Sequence, residues 1–276
     1  MHYLTACLIF KDSAPYLDEW IRFHLQVGFD HLYLYDNDSS DDYASAIEPL
    51  VASGHVTLHK CPGTGQQIKA FQHCLDSYRT GARWIAFIDD DEFLFPAEKV
   101  SLPEILPDYE PYAGVGASWL LFGSNGHRTQ PPGLVIENYT HRAAWIDRHV
   151  KCIVDPVKVI APAIAAHAFA CIAGTHIVNE SHHPIAGPFS EKPSAEIVCL
   201  NHYLIKSHEE MRRRRTRRWV DGTAPVLSIE QWEAFDRDYN SVEDRRVQRF
   251  VRGLKSGRPP SVQVLDTHSA AVAEEP

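Results

Sequence analysis

The chain has 276 residues, of which 44% are hydrophobic, and it carries a formal net charge of −9. This length suffices for one large domain or for one domain with an appendage, and the negative charge argues against a general nucleic-acid-binding protein. No window approaches the ~18 apolar residues of a membrane span, and the N-terminus lacks the basic leader of a signal peptide. The six cysteines are scattered without a C-x-x-C pair, so we expect them to be reduced and the protein to be cytoplasmic.

Strand and helix patterns alternate through roughly the first ninety residues, which predicts an α/β fold with a doubly wound, mostly parallel sheet. Strand-like apolar runs alternate with segments whose apolar residues recur at helical spacing. The predicted strands cover residues 3–10, 31–35, 55–59 and 83–88, and the predicted helices cover 15–27, a segment ending near residue 50, and 63–78.

The fourth predicted strand ends in four consecutive acids, Asp89, Asp90, Asp91 and Glu92. Burying four carboxylates is very costly, so this segment must reach solvent or meet a cation. Alternation along an extended chain would place Asp89 and Asp91 on one side. Two oxygen ligands at this edge of a sheet suit Mg²⁺ or Mn²⁺ carrying a phosphate. A solvated acidic turn is the alternative, but the apolar residues on both sides of the acids favour the D-x-D metal site.

The second predicted strand also ends in acids, beginning with Asp36 and continuing to residue 42. An acid there can accept a hydrogen bond from a base or ribose, although an Asx-rich turn explains the same composition. The chain has neither the G-x-G-x-x-G turn of dinucleotide binders nor the G-K-[ST] of phosphate loops. The pattern therefore indicates a nucleotide diphosphate held by a cation, as a nucleotide-sugar transferase requires.

The pattern changes after residue 96. We predict strands at 115–122, 151–160 and 196–205, a glycine-rich loop at 123–133, and a short helix at 134–144 that carries Glu137 and Arg142. Helical patterns follow at 207–220, 228–237 and 242–254. The tail from residue 256 has little to bury, and we expect it to be disordered. We therefore expect a main domain over residues 1–205, a helical appendage over 206–255 and a disordered tail.

Several segments occur in a characteristic succession: Lys11 with Tyr16-Leu-Asp-Glu-Trp-Ile, the loop at 35–41, Gln67 with its helix, and residues 84–93, 119–127, 132–137 and 201–207. In this order they resemble glycosyltransferase family 92 and its bacterial relatives near the family 2 transferases. The resemblance covers roughly residues 3–220. It implies a GT-A fold, a nucleotide-sugar donor that we expect to be UDP-linked, a divalent metal, a glycan or glycoconjugate acceptor and an inverting reaction.

The candidate site residues follow from these patterns and from the resemblance. Asp89 and Asp91 are the candidate metal ligands, with Asp91 central to catalysis and His202, at the end of a predicted strand, able to complete the shell as a neutral imidazole. A packed core histidine is the alternative for His202. Glu137 is the predicted catalytic base of an inverting reaction, with His127 and Asp147 as substitutes. The residues predicted to contact the donor are Lys11, Asp36, Asn37, Gln67, Asp89, Arg142 and Lys151.

An arginine-rich run begins at Arg212 and ends at Arg218. It is typical of a solvated helix face, and the alternative is contact with an anionic membrane surface or a charged acceptor.

Two other functions stay open. A nucleotidyltransferase shares acids at strand ends but usually adds a basic, glycine-rich loop after the first strand, which residues 10–15 do not supply. A non-catalytic nucleotide- or glycan-binding module would bind the same ligands without turnover.

Overall fold

The computed structural model describes residues 1–164, 167–215 and 228–256. The strands are β1 (His2–Phe10), β2 (His31–Asp36), β3 (Val56–Lys60), β4 (Ala82–Phe87), β5 (Glu92–Pro96), β6 (Gly114–Leu121), β7 (His141–Arg142), β8 (Val150–Val154), β9 (Val159–Ile164), β10 (Ala168–Cys171), β11 (Ile177–Asn179), β12 (Pro184–Ile185), β13 (Val198–His202) and β14 (Val242–Glu243). The α-helices are α1 (Ala14–Gln26), α2 (Tyr43–Ala52), α3 (Gln67–Tyr78), α4 (Val135–Asn138), α5 (His208–Arg215), α6 (Ile229–Tyr239) and α7 (Val251–Lys255).

The large sheet is covered by helices on both faces, because β1 and β2 are apolar on both sides. Leu4 and Leu8 of β1 belong to the core cluster that also contains residues of α1 and α2. Cys7 and Ile9, which point the other way, belong to the cluster that contains residues of α3. Strands β1 to β4 pair in parallel. The predicted α/β, doubly wound arrangement is confirmed for this half of the chain.

The carboxyl ends of most strands lie at the same edge of the sheet. The strand order is β12-β11-β6-β8-β4-β1-β2-β3, and β13 pairs with both β6 and β5. Strand β8 runs antiparallel to its neighbours β4 and β6, and β13 runs parallel to β6. The carboxyl ends of β1, β2, β4, β6 and β13 therefore lie at the same edge as the amino ends of β5 and β8. Residues distant in sequence meet at this carboxyl edge.

Three predicted elements differ from the structure. The segment 134–144 contains only the four-residue helix α4, after which β7 pairs with β14 instead of continuing a helix. The predicted strand 151–160 is two strands, because a turn at Asp155 and Pro156 separates β8 from β9. The predicted helix 242–254 begins with β14, and a 3₁₀ turn follows before α7. Apart from Ser256, the tail that we expect to be disordered lies outside the described residues, as do residues 216–220 of the helix predicted at 207–220.

The C-terminal helices pack onto the main body. Met211 of α5 and Trp232 of α6 form a buried cluster with Leu121 at the end of β6. Val247 and Phe250, just before α7, are buried in the main core. The division at residue 205 stays a prediction. Among the helices of the described residues, none has the length and apolarity that crossing a membrane requires.

Candidate active site at the carboxyl edge of the sheet

Asp91 lies in the turn between β4 and β5, and its side chain is 1% exposed. Arg214 of α5 forms a salt bridge to the carboxylate oxygen Oδ2, and Nε2 of His202 lies 3.5 Å from the same oxygen. Burial alone would raise the pKa of Asp91, but Arg214 and His202 hold that pKa well below its usual range. The carboxylate is therefore ionised and buried beside a cation.

Two polar atoms of this pair have no hydrogen-bond partner among the described residues. They are Oδ1 of Asp91 and Nδ1 of His202, and both are buried. A buried polar atom without a partner costs about 1–3 kcal/mol, so such atoms indicate a place where a ligand completes the bonding. A carboxylate oxygen and an imidazole nitrogen are both ligands that Mn²⁺ accepts.

Asp89 occupies a second position at the same edge. Lys151 Nζ of β8 contacts its Oδ2 at 2.5 Å, and Gln67 Nε2 of α3 donates to its Oδ1 at 3.1 Å. Burial alone would lower the pKa of Lys151, but Asp89 and Glu92 raise it above its usual value. The structure thus brings together Asp89, Lys151 and Gln67, which the sequence predicted as donor-contacting residues.

The expected alternation of Asp89 and Asp91 along a strand is wrong. The backbone turns at these residues, because the Glu92 N–H donates to the carbonyl of Asp89 at 3.1 Å. Asp89 consequently faces Lys151, whereas Asp91 faces Arg214. Within the described residues, the structure contains no cluster of three or more His, Cys, Asp or Glu side chains placed to hold a metal ion.

Glu92 is fully buried at the start of β5. Its Oε1 accepts a hydrogen bond from Trp119 Nε1 at 2.6 Å, and its Oε2 lies 3.5 Å from Lys151 Nζ. Burial raises the pKa of Glu92 to about 7, against the opposing effect of Lys151. Glu92 therefore links the acidic turn to β6 and β8 and holds both in register at the edge.

A cavity of about 280 Å³ opens beside Asp90, on the side of α1 and α5. Ser13, at the start of α1, donates a hydrogen bond to Asp90. Lys206 lines the cavity and is 6% exposed; its Nζ lies 4.1 Å from the centroid of the Tyr16 ring, and it forms no salt bridge to the described residues. Burial lowers the pKa of Lys206. The cavity is lined by Asp12, Tyr16, Asp90, Lys206, Arg213 and Arg214, among others.

Asp36 ends β2 at the same edge, but its carboxylate is engaged by the protein. It is 3% exposed and accepts from Lys60 Nζ at 2.7 Å and from the Tyr43 hydroxyl at 3.0 Å. Asn37 donates to the carbonyls of Cys61 and Gly63. The predicted contact between the Asp36 carboxylate and a nucleoside is therefore not supported, because its oxygens already organise the loops after β2 and β3.

Lys11 lies at the end of β1, where the loop after β2 passes over it. Its Nζ donates to the carbonyls of Asn37 and Asp38 at 3.1 and 3.2 Å. The lysine thereby fixes the loop that would flank a bound nucleoside.

Two predicted site residues lie in surface or structural contacts instead. Glu137 of α4 forms a salt bridge to Lys255 at 2.6 Å, and its side chain is 36% exposed. Arg142 of β7 is paired with Asp244 at 2.8 Å, a salt bridge that links β7 to the residue after its partner strand β14. The predictions of Glu137 as the catalytic base and of Arg142 as a diphosphate ligand are not supported by these positions, because both charges already have partners.

Three residues of this site were missed by sequence reasoning, namely Arg214, Lys206 and Trp119. The arginine run was interpreted as a solvated face or a membrane contact, yet Arg214 meets Asp91. A signal was present: Arg214 follows the apolar Met211 by three residues, so both lie on the same helix face. Arg212 and Arg213 are exposed; the rest of the run, apart from the backbone of residue 215, lies outside the described residues.

The fold and the site together define an α/β protein whose buried acids and basic partners converge where the strands end, a place suited to a phosphorylated ligand. The chain belongs to glycosyltransferase family 92, whose sequence pattern matches residues 2–183.

Similarity to individual proteins agrees with that assignment. A glycosyltransferase family 92 protein of Ricinus communis is 28% identical over 223 residues, which is 79% of this chain and 38% of the relative. The galactan beta-1,4-galactosyltransferase GALS2 of Arabidopsis thaliana is 27% identical over 40% of this chain and 23% of its own length. The chain thus spans well under half the length of these relatives.

Among solved structures, the chain is similar to S. aureus TarS 1-349 in complex with UDP. The sequence identity is 12%, the TM-score is 0.37, and the match covers 56% of this chain and 47% of TarS.

Proposed function

We propose that this chain transfers a sugar from a nucleotide sugar, UDP-linked, to a hydroxyl group of a glycan or glycoconjugate, with inversion at the anomeric carbon. The observation that carries the proposal is Asp91: an ionised, buried carboxylate at the carboxyl edge, with one unsatisfied oxygen beside an unsatisfied imidazole. Membership of family 92 supports the class of reaction.

The donor set at Asp91 and His202 fits a divalent cation, Mn²⁺ or Mg²⁺. Such cations are commonly bound by one or two protein groups, with substrate phosphates and waters completing the shell, which agrees with a site of fewer than three acidic or imidazole ligands. When bound, the metal offsets the negative charge that builds on the departing diphosphate. Asp91 and His202 hold the ion, while Asp89 stays with Lys151 and Gln67.

The diphosphate has a second source of positive charge in the cavity beside Asp90. Lys206 and Arg214 line that cavity, and Arg214 is the cation that already faces Asp91. The ammonium of Lys206 is buried and forms no salt bridge to the described residues, although Asp91, Asp90 and Glu210 attract it from a greater distance. An incoming phosphate would bring a closer anion to it. Lys206 and Arg214 therefore stabilise the leaving group, a role that the sequence had given to Arg142.

The product itself tests the transfer and its stereochemistry. UDP-galactose and galacto-oligosaccharides are suitable first probes, because galactan galactosyltransferases are among the relatives. We expect ¹H NMR to show a new glycosidic bond whose anomeric configuration is opposite to that of the donor. A product that keeps the donor's configuration would refute the inverting reaction while leaving the transferase class intact.

The nucleotidyltransferase alternative predicts a different pair of products. It would join a sugar phosphate to a nucleoside triphosphate and release pyrophosphate, whereas the proposed reaction releases a nucleoside diphosphate. Pyrophosphate release from UTP and a sugar phosphate would favour the alternative.

A further inference from the structure

A histidine and an aspartate form a hydrogen-bonded pair immediately before β8. Nδ1 of His149 lies 2.7 Å from Oδ1 of Asp147, and the backbone N–H of His149 donates to the same oxygen at 2.9 Å. The Asp147 backbone N–H donates to the carbonyl of Trp119 at 3.0 Å, so the backbone that carries the carboxylate is bonded to β6. With Nδ1–H donating to the carboxylate, Nε2 of His149 carries the lone pair.

The pair lies at the same edge and on the same face of the sheet as the acidic turn. His149 precedes Lys151 by two residues, and side chains two apart along an extended strand share a face, separated by about 7 Å. Lys151 contacts Asp89 at 2.5 Å. His149 thus lies directly before the amino end of β8, two residues from Lys151, the residue that contacts Asp89.

Trp119 connects the imidazole to the buried part of the site. The His149 ring stacks on the indole of Trp119 with centroids 4.6 Å apart, and the indole N–H donates to Glu92. The ring of His202 contacts the same indole at 4.4 Å. His149 and His202 therefore both pack on Trp119, one beside solvent and the other beside Asp91.

The outer side of His149 is open to a second substrate. Its side chain is 38% exposed, and the partly exposed ring of Phe189 lies 4.5 Å away, centroid to centroid. An aromatic face beside a polar group suits the apolar face and the hydroxyl groups of a sugar. The charged or titratable groups around the imidazole are Asp147 and Arg148 on its own segment, Lys151 on β8, His167 before β10, and Glu92 and His202 across Trp119.

We infer that His149 is the catalytic base that removes the proton from the acceptor hydroxyl, and that Asp147 positions it. This inference rests on the proposed function. The hydroxyl oxygen bonds to the anomeric carbon as the bond from that carbon to the diphosphate oxygen breaks, and the bonding electrons leave with the diphosphate. The hydroxyl proton passes to Nε2 of His149. Asp147 stabilises the imidazolium, which then releases the proton to solvent.

Other candidate bases at this edge are less suited. Glu137 is paired with Lys255 at the surface. His167 uses Nδ1 to bond the carbonyl of Val150 at 2.8 Å, and burial lowers its pKa to about 4, which makes it a weak proton acceptor. His127 packs edge-on against Tyr139, with ring centroids 5.6 Å apart, and has no carboxylate partner among the described residues.

The first test is His149→Asn, because an asparagine amide can still donate to Asp147 while Nε2 is lost. We expect kcat for transfer from UDP-galactose to galacto-oligosaccharides to fall by roughly 100-fold to 10,000-fold, the usual range for a general base. The affinity for UDP, measured by calorimetry, should stay within about threefold, since His149 does not touch the donor site. His182→Asn is the matched control: His182 also stacks on an aromatic ring, that of Tyr109 with centroids 5.2 Å apart, but it lies beside the residues that precede β6.

The second test is the effect of Asp147→Asn on kcat and KM. The asparagine keeps the shape of the side chain but removes the charge that stabilises the imidazolium, so kcat should fall by at least about tenfold while KM for the acceptor stays within about threefold. Loss of a purely structural contact would instead raise KM and lower the melting temperature.

The outcomes separate the two proposals. Near-normal turnover in His149→Asn, or an unchanged kcat in Asp147→Asn, would overturn the role of this pair and leave the transferase intact. Failure of the wild-type chain to transfer sugar from any donor would overturn both proposals together.

Discussion

Asp91 and Arg214 show how a buried charge is tolerated at this site. An isolated carboxylate in the protein interior would take up a proton, but a guanidinium in contact keeps it ionised. Removing one member of a buried pair leaves the other charge uncompensated and typically costs about 3–5 kcal/mol. Any substitution at Asp91 therefore changes stability as well as chemistry, and a control must separate the two effects.

Asp155 supplies that control for Asp91→Asn. Asp155 is also buried and bound to an arginine, Arg83 at 2.6 Å, but it lies at the opposite edge of the sheet, after β8. We expect both variants to melt at lower temperature than the wild type, and we expect only Asp91→Asn to lose roughly 100-fold or more in kcat. Steady-state kinetics and thermal melts of the two variants compare these effects. Equal losses of kcat in both variants would show that Asp91 only stabilises the fold.

His202→Ala tests the second proposed metal ligand. Loss of the imidazole should raise the Mn²⁺ concentration needed for half-maximal activity by roughly 10-fold. His24→Ala is the matched control, because His24 is a fully buried core histidine whose ring bonds the carbonyl of Trp20 at 2.8 Å. The control should lower the metal-free melting temperature without changing the metal requirement. The ligand assignment fails if His202→Ala behaves in the same way.

At the residue scale, sequence reasoning succeeded where chemistry and neighbours along the chain were enough. The run from Asp89 to Glu92 follows an apolar strand, so its place at the carboxyl edge could be predicted. The salt bridges of Glu137 to Lys255 and of Arg142 to Asp244 span more than 100 residues in sequence. Two residues that are so far apart in sequence meet only through tertiary packing, and no local sequence pattern predicts such a pair.

Glu19 shows how one element positions another. This residue of α1 is 7% exposed, and its two carboxylate oxygens accept the backbone N–H groups of Val135 and Ile136 at 2.7 and 3.0 Å. These N–H groups open the short helix α4 and would otherwise lack partners. Burial raises the pKa of Glu19 from its usual 4.5 to about 7, although the two hydrogen bonds oppose this.

The raised pKa of Glu19 predicts a pH dependence of stability. The folded chain holds this proton more tightly than the unfolded chain, so the stabilisation is complete below pH 4.5 and is lost as the pH rises through about 7. The full effect is about 3 kcal/mol. The unfolding free energy of the wild type should therefore fall relative to that of Glu19→Gln, which has no titrating group at this position, between about pH 5 and about pH 8, as urea titrations can measure. A wild type that keeps pace with Glu19→Gln over this range, or gains stability relative to it, would contradict this account.

At the element scale, the parallel first half was predictable because each strand and helix carries its own periodicity. Strand β5 was missed because its five residues are buried on both faces and follow the acids without a turn signal. Strands β7 and β14 have two residues each and exist only because they pair with each other. Short strands of this kind are set by their partners, so their own sequences do not specify them.

At the scale of the whole molecule, the residues of the proposed reaction lie together at one edge of the sheet. Strand β4 contributes the acidic turn, β13 contributes His202, β8 contributes Lys151 with His149 before it, and α5 contributes Arg214. These residues span more than 120 positions in sequence, and the strand order brings them together. The fold would thus place the proposed donor side, with the proposed cation site and the basic cavity, next to the open aromatic side that we propose for the acceptor.

Nucleotide release from a panel of UDP- and GDP-sugars, with Mn²⁺ or with excess chelator, tests the central claim most directly. The wild-type chain and Asp91→Asn are assayed in parallel with a mixture of oligosaccharide acceptors. We expect the wild type to release a nucleoside diphosphate from at least one UDP-sugar with Mn²⁺, and we expect chelator or Asp91→Asn to abolish that release. Full activity in excess chelator, or no release from any donor by the wild type, would contradict the proposal of a metal-dependent glycosyltransferase.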